Sequence, residues 1–175
     1  MNRRTMIALA GAALLSACST TLPENVREQR GRFSLRVTGG SRPAEQWTGR
    51  FTLRTAPDHL RLDLLTPLSG ILARVEATPR GATFARGIDD IVAEGPTPEA
   101  LMTEVLGFSL PVSVLEAWLD GRPGPDAAPA DAWEAQGWRV AVGSRTPDGR
   151  PMRLTAETRQ NGTDLRLTLV LDTEA

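Results

Sequence analysis

The stretch Gly31-Arg32-Phe33-Ser34-Leu35-Arg36-Val37 decides the fold class, because apolar and polar side chains alternate in it without a break. Successive side chains of a β-strand point to opposite faces of a sheet. Phe33, Leu35 and Val37 therefore share one face, and the polar residues share the other. This alternation is typical of an antiparallel sheet with one buried face and one solvated face.

The same period of two recurs on both sides of this stretch. It is found in residues 47–54, 60–64, 71–76, 138–142, 152–156 and 165–171. Short polar turns such as Pro147-Asp148-Gly149 and Asn161-Gly162 separate the segments, which is typical of antiparallel hairpins. The sequence predicts a mainly β (α+β) protein with a strongly curved antiparallel sheet, or an unclosed β-barrel.

Two short helices are predicted in the middle of the chain. Thr97-Pro98-Glu99 supplies an N-cap, a proline at the first helical position and an acid in the first turn, and Gly107 is placed to end this helix. A second short helix is expected within residues 112–119, before Gly121. Their apolar stripes predict a lid against the concave face of the sheet. The residue pattern leaves open whether this lid covers a solid core or a ligand cavity.

The N-terminus has the pattern of a bacterial lipoprotein signal. Arg3 and Arg4 precede an apolar run from Met6 to Leu15, which is too short for a membrane-spanning helix of roughly 20 residues. Leu15-Ser16-Ala17-Cys18 follows and is typical of a lipobox, in which the cysteine thiol takes a diacylglyceryl group. Cys18 is the only cysteine in the chain, so an internal disulfide cannot account for it.

The lipobox predicts the organisation and the location of the protein. Residues 1–17 are expected to be a signal peptide, 18–29 a lipidated N-terminus and tether that runs into a first helical turn, and 30–175 a single domain. Resemblance to triacylated lipoproteins of Gram-negative bacteria implies an N-acyl chain on Cys18 as well, which gives stable anchoring. Ser19 and Thr20 directly follow Cys18, and neither is an Asp. This favours the outer membrane, with the domain facing the periplasm.

Composition and motifs argue against several functions. The 20 basic and 21 acidic residues nearly cancel, so nothing indicates binding to nucleic acid. The only histidine, His59, falls in a predicted turn, and neither Ser69 nor Ser109 lies in a nucleophile-elbow motif. Metal-ligand spacings and phosphate-binding glycine loops are also missing. We therefore expect no enzyme activity and no cofactor apart from the covalent acyl groups.

The ordered blocks of the chain resemble the LolB family. The resemblance is carried by residues 31–37, 47–54, 60–68, 101–102, 106–112, 115, 118–119, 121–123, 137–138, 151–154 and 165–171. It implies a receptor that accepts client lipoproteins from a LolA-like periplasmic carrier and inserts them into the inner leaflet of the outer membrane. We expect it to act as a monomer. Leu171-Asp172-Thr173 departs from the family, which often closes this strand with a tryptophan.

The resemblance also implies an apolar cavity for acyl chains beneath the lid. The residues expected in its wall are Phe33, Leu35, Trp47, Phe51, Leu62, Leu64, Val75, Met102, Leu106, Trp118 and Leu154. Between two predicted strands, Leu65-Thr66-Pro67-Leu68-Ser69-Gly70 places a large apolar residue at a hairpin tip, where small polar residues are usual. Comparison with LolB-like proteins implies that Pro67 and Leu68 form a membrane-insertion loop.

Two alternatives remain open at the level of sequence. The first is a structural lipoprotein with a solid core that docks onto an envelope assembly machine. The second is a lipoprotein that binds free lipid. A filled interior favours the scaffold, whereas an elongated apolar cavity favours binding.

Overall fold

The computed structural model describes residues 25–40, 43–66, 70–87 and 90–172. The predicted signal peptide, Cys18, Pro67 and Leu68 lie outside these residues. The strands are β1 (Arg27–Gly39), β2 (Glu45–Ala56), β3 (His59–Leu65), β4 (Ile71–Thr78), β5 (Gly81–Arg86), β6 (Asp90–Gly95), β7 (Ala132–Ala135), β8 (Trp138–Arg145), β9 (Pro151–Gln160) and β10 (Thr163–Leu171). Helix α1 (Pro98–Leu106), a 3-10 turn (Val112–Val114) and helix α2 (Leu115–Leu119) separate β6 from β7.

All ten strands form one antiparallel sheet in the order β6-β5-β4-β3-β2-β1-β10-β9-β8-β7. The pairing of β1 with β10 joins the N-terminal and C-terminal strands, with Phe33 opposite Leu169 and Leu35 opposite Leu167. The edge strands β6 and β7 lie at the two ends of this order, so the sheet does not close into a barrel. The predicted fold class is confirmed.

Strand β1 begins earlier than the sequence pattern indicated. Glu28 lies opposite Arg54 and Gln29 opposite Leu53, so residues 27–29 are strand, and the predicted helical turn is wrong for them. Pairing with β2 satisfies the backbone hydrogen bonds of this segment, and this non-local gain outweighs its weak helix preference.

Two glycines lie where the sheet leaves no room for a Cβ atom. Gly31 lies opposite Phe51, and Gly49 lies opposite Phe33. A Cβ atom would lie 2.8 Å from the Phe51 ring at Gly31 and 3.0 Å from the Phe33 ring at Gly49. The two aromatic rings therefore occupy space that only glycine leaves free, as at the bends of other curved sheets.

Helix α1 begins and ends where the sequence predicts. The hydroxyl of Thr97 accepts a hydrogen bond from the Ala100 N–H at 3.2 Å, and Gly107 ends the helix with φ 81°. The second predicted helix is split, because residues 112–114 form a 3-10 turn and only five residues continue as α2. Both segments bury apolar side chains against the sheet, including Leu101 in α1 and Trp118 in α2.

The outer face of the sheet carries a buried carboxylate. Asp63 is 4% exposed, and its oxygens accept hydrogen bonds from Arg74 at 2.6 Å and Arg61 at 3.1 Å. Arg54 adds a third contact at 3.3 Å. Arginines on three adjacent strands thus compensate one desolvated charge, which would otherwise be costly to bury.

A second carboxylate, Asp120, fastens the end of α2 to the start of β1. Its two oxygens accept hydrogen bonds from the guanidinium of Arg27 at 2.6 and 2.7 Å. Arg122 contacts the same carboxylate at 2.9 Å, and the Gln29 amide lies 3.3 Å away. We refer to Arg27, Gln29, Asp120 and Arg122 as the Asp120 cluster. Its bidentate geometry is the strong form of an ion pair.

The Asp120 cluster predicts a pH-dependent contribution to stability. Burial raises the pKa of Asp120. Hydrogen bonds and charge from Arg27 and Arg122 together lower this pKa by more than burial raises it, so the net pKa lies below 3.8. A carboxyl with a lowered pKa stabilises the fold above its unfolded pKa, and this stabilisation is lost as the pH falls through the folded pKa. Asp120→Asn should reduce the free energy of unfolding by about 1 kcal/mol at pH 7.

Urea denaturation between pH 7 and pH 3 tests this prediction. The difference between wild type and Asp120→Asn should shrink as the pH falls below 3.8. Asp164→Asn is the control, because Asp164 forms an exposed pair with Arg159 at 3.7 Å and such pairs contribute little. A pH-independent difference for Asp120→Asn would contradict the assigned role.

Candidate functional site

An apolar cavity of about 400 Å³ lies between the concave face of the sheet and helix α1. Its lining comes from β1 to β5, β10, α1, the segment that leads into α2, and the first residue of α2, Leu115. The lining residues are Phe33, Leu35, Trp47, Phe51, Leu62, Leu64, Leu72, Ala73, Val75, Phe84, Arg86, Met102, Val105, Leu106, Leu110, Pro111, Val112, Leu115, Leu167 and Leu169. Within this lining every side chain except that of Arg86 is apolar.

Strand register explains why these side chains converge. One row across the sheet pairs Phe51 with Leu64, Leu64 with Ala73, and Ala73 with Arg86. Directly opposed residues of neighbouring strands share a face, so this whole row faces the cavity. A second row, which runs from Leu62 through Val75 to Phe84, lies beside it.

The lid over the cavity is held by a few specific contacts. The rings of Phe108 and Trp47 stack with 6.1 Å between their centroids. The Gln160 side chain accepts a hydrogen bond from the Ser109 N–H at 2.8 Å and donates one to the Ser109 carbonyl at 3.0 Å. The Glu99 carboxylate accepts a hydrogen bond from the Ser113 N–H at 2.8 Å. These contacts fix the connection between α1 and α2 above the cavity.

The other half of the concave face is filled. Trp118 of α2 packs edge-on against Trp133 and Trp138, with ring centroids 6.5 and 6.4 Å apart. Leu154, 1% exposed, belongs to the same core. This aromatic packing leaves the space beneath α2 closed, in contrast to the space beneath α1.

The predicted wall residues divide between these two halves. Except for Trp118 and Leu154, all the residues predicted for the cavity wall line it. Trp118 and Leu154 instead lie in the packed core, at 0% and 1% exposure. Among the lining residues that the sequence did not indicate are Phe84 and Arg86 of β5. The alternation of Ala82, Phe84 and Arg86 was a signal for this strand, but its short, alanine-rich sequence made that signal weak.

The rim of the cavity exposes apolar surface. Leu72 lines the cavity and is 50% exposed, and two other large apolar residues, Ile91 and Val92 on edge strand β6, are 56% and 44% exposed. The β3–β4 connection ends just before the strand that carries Leu72. At the base of this connection, the Thr66 N–H donates a hydrogen bond to the Gly70 carbonyl at 2.8 Å. The exposed side chain of Leu72 thus extends the apolar lining of the cavity to the surface of the protein.

Where the structure describes them, the other candidate sites considered in the sequence show no arrangement of residues that indicates metal binding or catalysis. In the described part of the chain, no group of three or more His, Cys, Asp or Glu side chains is arranged to hold a metal ion. His59 starts β3 opposite Ala56, and the Ser109 backbone is bound by Gln160. No helix among the described residues is long and apolar enough to cross a membrane.

The fold and the cavity together define a class of protein, an open antiparallel sheet with a helical lid that encloses apolar space. The family model "Outer membrane lipoprotein LolB" matches residues 27–173. The outer-membrane lipoprotein LolB of Cupriavidus pinatubonensis is 33% identical over 99% of this chain and 95% of its own length. LolB of Bordetella petrii is 34% identical over 88% of this chain and 81% of its own length. The chain belongs to the LolB family.

Family membership settles the location and the broad role. The protein is an outer-membrane lipoprotein of the lipoprotein-localisation pathway, and the family is not a known enzyme family. The resemblance identified in the sequence and the predicted outer-membrane location are both confirmed.

The contrast between the filled and the hollow half predicts unequal costs for the same substitution. Leu154→Ala leaves a void in a packed core and should reduce the free energy of unfolding by about 3 kcal/mol. Leu64→Ala only enlarges a space that already exists, so it should cost about 1 kcal/mol. Urea denaturation of the two variants measures the difference. Equal costs would show that the space beneath α1 is closed by packing in solution.

Proposed function

We propose that this protein accepts lipoproteins from a LolA-like periplasmic carrier and inserts them into the inner leaflet of the outer membrane. The cavity beneath α1 holds acyl chains of the client during transfer. The observation that carries this proposal is the composition of the lining, in which a single polar side chain stands among apolar ones. Membership of the LolB family supports the same role.

The energetics of acyl chains explain the need for such a cavity. Exposing three chains of about 16 carbons to water costs on the order of 30–40 kcal/mol, at about 0.8 kcal/mol per methylene. Release into water is therefore negligible, and the chains pass directly from one apolar surface to the next. Transfer needs no ATP when each acceptor binds the chains more favourably than its donor, and the bilayer is the final acceptor.

Cavity volume bears on how the chains are held. A methylene group occupies a volume similar to that of a water molecule, about 30 Å³, so a 16-carbon chain needs roughly 500 Å³. The cavity of about 400 Å³ therefore matches one chain. Further chains of a client lie along the apolar rim at Leu72 or displace α1 from the sheet. The size of one chain also fits a lipoprotein that binds free single-chain lipid, which is the second candidate function.

Two further elements of the proposal concern the membrane. Diacylglyceryl and N-acyl groups on Cys18 anchor the protein, and Pro67 and Leu68 enter the lipid during insertion. Support for the loop comes from its neighbour Leu72, which is half-exposed and also lines the cavity. Apolar surface thus extends from the cavity towards the β3–β4 connection, and an acyl chain can leave along it.

A transfer assay without ATP tests the receptor role. All described elements begin after residue 24, so a soluble chain starting at residue 19 retains them. It is mixed with a carrier loaded with a radiolabelled lipoprotein, and the label is followed first to this protein and then to liposomes. We expect the label to pass to this protein. Leu68→Glu should reduce delivery to liposomes at least tenfold, because inserting a carboxylate into lipid is unfavourable, while acceptance from the carrier is unchanged.

Two control variants sharpen the assay. Leu68→Met keeps the loop apolar and should deliver like the wild type. Arg80→Glu introduces a carboxylate at the exposed β4–β5 turn and should also have no effect. Label that stays on a competent carrier would refute the receptor role. Binding of free fatty acid without acceptance of lipoprotein would favour the second candidate.

A further inference from the structure

Arg86 is an exception in the wall of the cavity. It ends the row that runs through Phe51, Leu64 and Ala73, so it projects on the same face as these apolar residues. It is the one charged residue among the described residues of the lining. Unlike its deeply buried neighbour Phe84, it is exposed. Arg86 therefore stands at the mouth of the cavity and not in its depth.

Within the described part of the chain, the side chain of Arg86 makes no hydrogen bond or ion pair, although Asp90 lies directly opposite on β6. By contrast, Arg54, Arg61 and Arg74 of the same sheet half all contact Asp63. A charged side chain without a structural partner at the entrance of an apolar cavity is available to a ligand.

Guanidinium chemistry specifies what such a ligand must offer. The group carries five N–H donors and no acceptor, and it stays charged at every physiological pH. It therefore pairs with oxygen acceptors that adjoin the apolar part of the ligand. In an acylated cysteine these acceptors are the ester carbonyls of the glycerol and the amide carbonyl of the N-acyl group.

We propose that Arg86 binds the polar end of the acylated cysteine by donating hydrogen bonds to these carbonyl oxygens. This inference rests on the proposed function and adds an orientation to it. The acyl chains enter with their methyl ends first, and the cysteine stays at the rim where β4 begins and β5 ends, beside Arg86. The protein part of the client then remains in solvent, on the side of the cavity where Leu72 is exposed.

Binding of a synthetic triacylated cysteinyl peptide tests this role. Arg86→Met keeps an unbranched apolar stem and removes the guanidinium donors, and it should weaken peptide binding about tenfold, the effect expected from losing a charge-assisted hydrogen bond. Arg86→Lys should restore part of the affinity. A hydrocarbon fluorophore without oxygen atoms should bind wild type and Arg86→Met within a factor of two. Arg80→Met, in an exposed turn outside the cavity lining, is the matched control and should bind both probes normally.

Each other outcome overturns a defined part of the argument. Equal binding of the peptide by wild type and Arg86→Met would reject the role of Arg86 and leave the receptor proposal intact. Loss of both probes by Arg86→Met would show that the residue maintains the shape of the cavity, which also rejects the inference. A wild type that binds palmitate through Arg86 but does not bind the peptide would assign the residue to free fatty acid and refute the proposed function.

Discussion

The apolar face of the ten-stranded sheet is larger than its two helices can cover, and the rest of the structure depends on this mismatch. Helix α1 has nine residues and α2 has five, so at 1.5 Å per residue they span only about 14 and 8 Å. Strand β1 alone has 13 residues, or about 43 Å. Pairing of β1 with β10 merges both strand sets into one sheet, so the same two helices must serve the whole concave face.

The chain resolves the mismatch differently in its two halves. Beneath α2, three tryptophans fill the space with large rings, and Trp118 and Trp138 are almost completely buried. Beneath α1, three phenylalanines and Trp47 stand among Leu, Val and Ala side chains, and these residues leave a cavity between sheet and helix. The unfilled half loses packing contacts that a closed core would gain. A binding site for flexible apolar chains requires this loss of packing contacts, because a closed core would leave the chains no volume.

Local sequence signals predicted most of the strands and helix α1, but not which buried residues line the cavity. The alternation around Phe33 and the Thr97 cap are local features, and both define elements that the structure contains. Leu62 and Leu154 are both buried core residues of alternating strands, yet only Leu62 also lines the cavity. Their difference depends on where the lid rests, which contacts between distant residues determine, such as Ser109 with Gln160. Strands β5 to β7 lack a clear alternation in the sequence because they have only four to six residues each.

Helices α1 and α2 are held to the sheet by contacts of different strength. This difference is relevant to how the cavity could admit an acyl chain in the proposed function. At the end of α2, a bidentate ion pair joins Asp120 to Arg27, and Trp118 is locked among aromatic rings. Helix α1 has a void beneath it, and the segment that follows it is held by the Phe108–Trp47 stack and by the Gln160 hydrogen bonds. Lifting α2 would break an ion pair and open a packed core, whereas lifting α1 exposes apolar groups that an incoming acyl chain covers again. On the proposed function, in which the cavity binds acyl chains, displacing α1 in the presence of such a ligand costs less free energy than displacing α2.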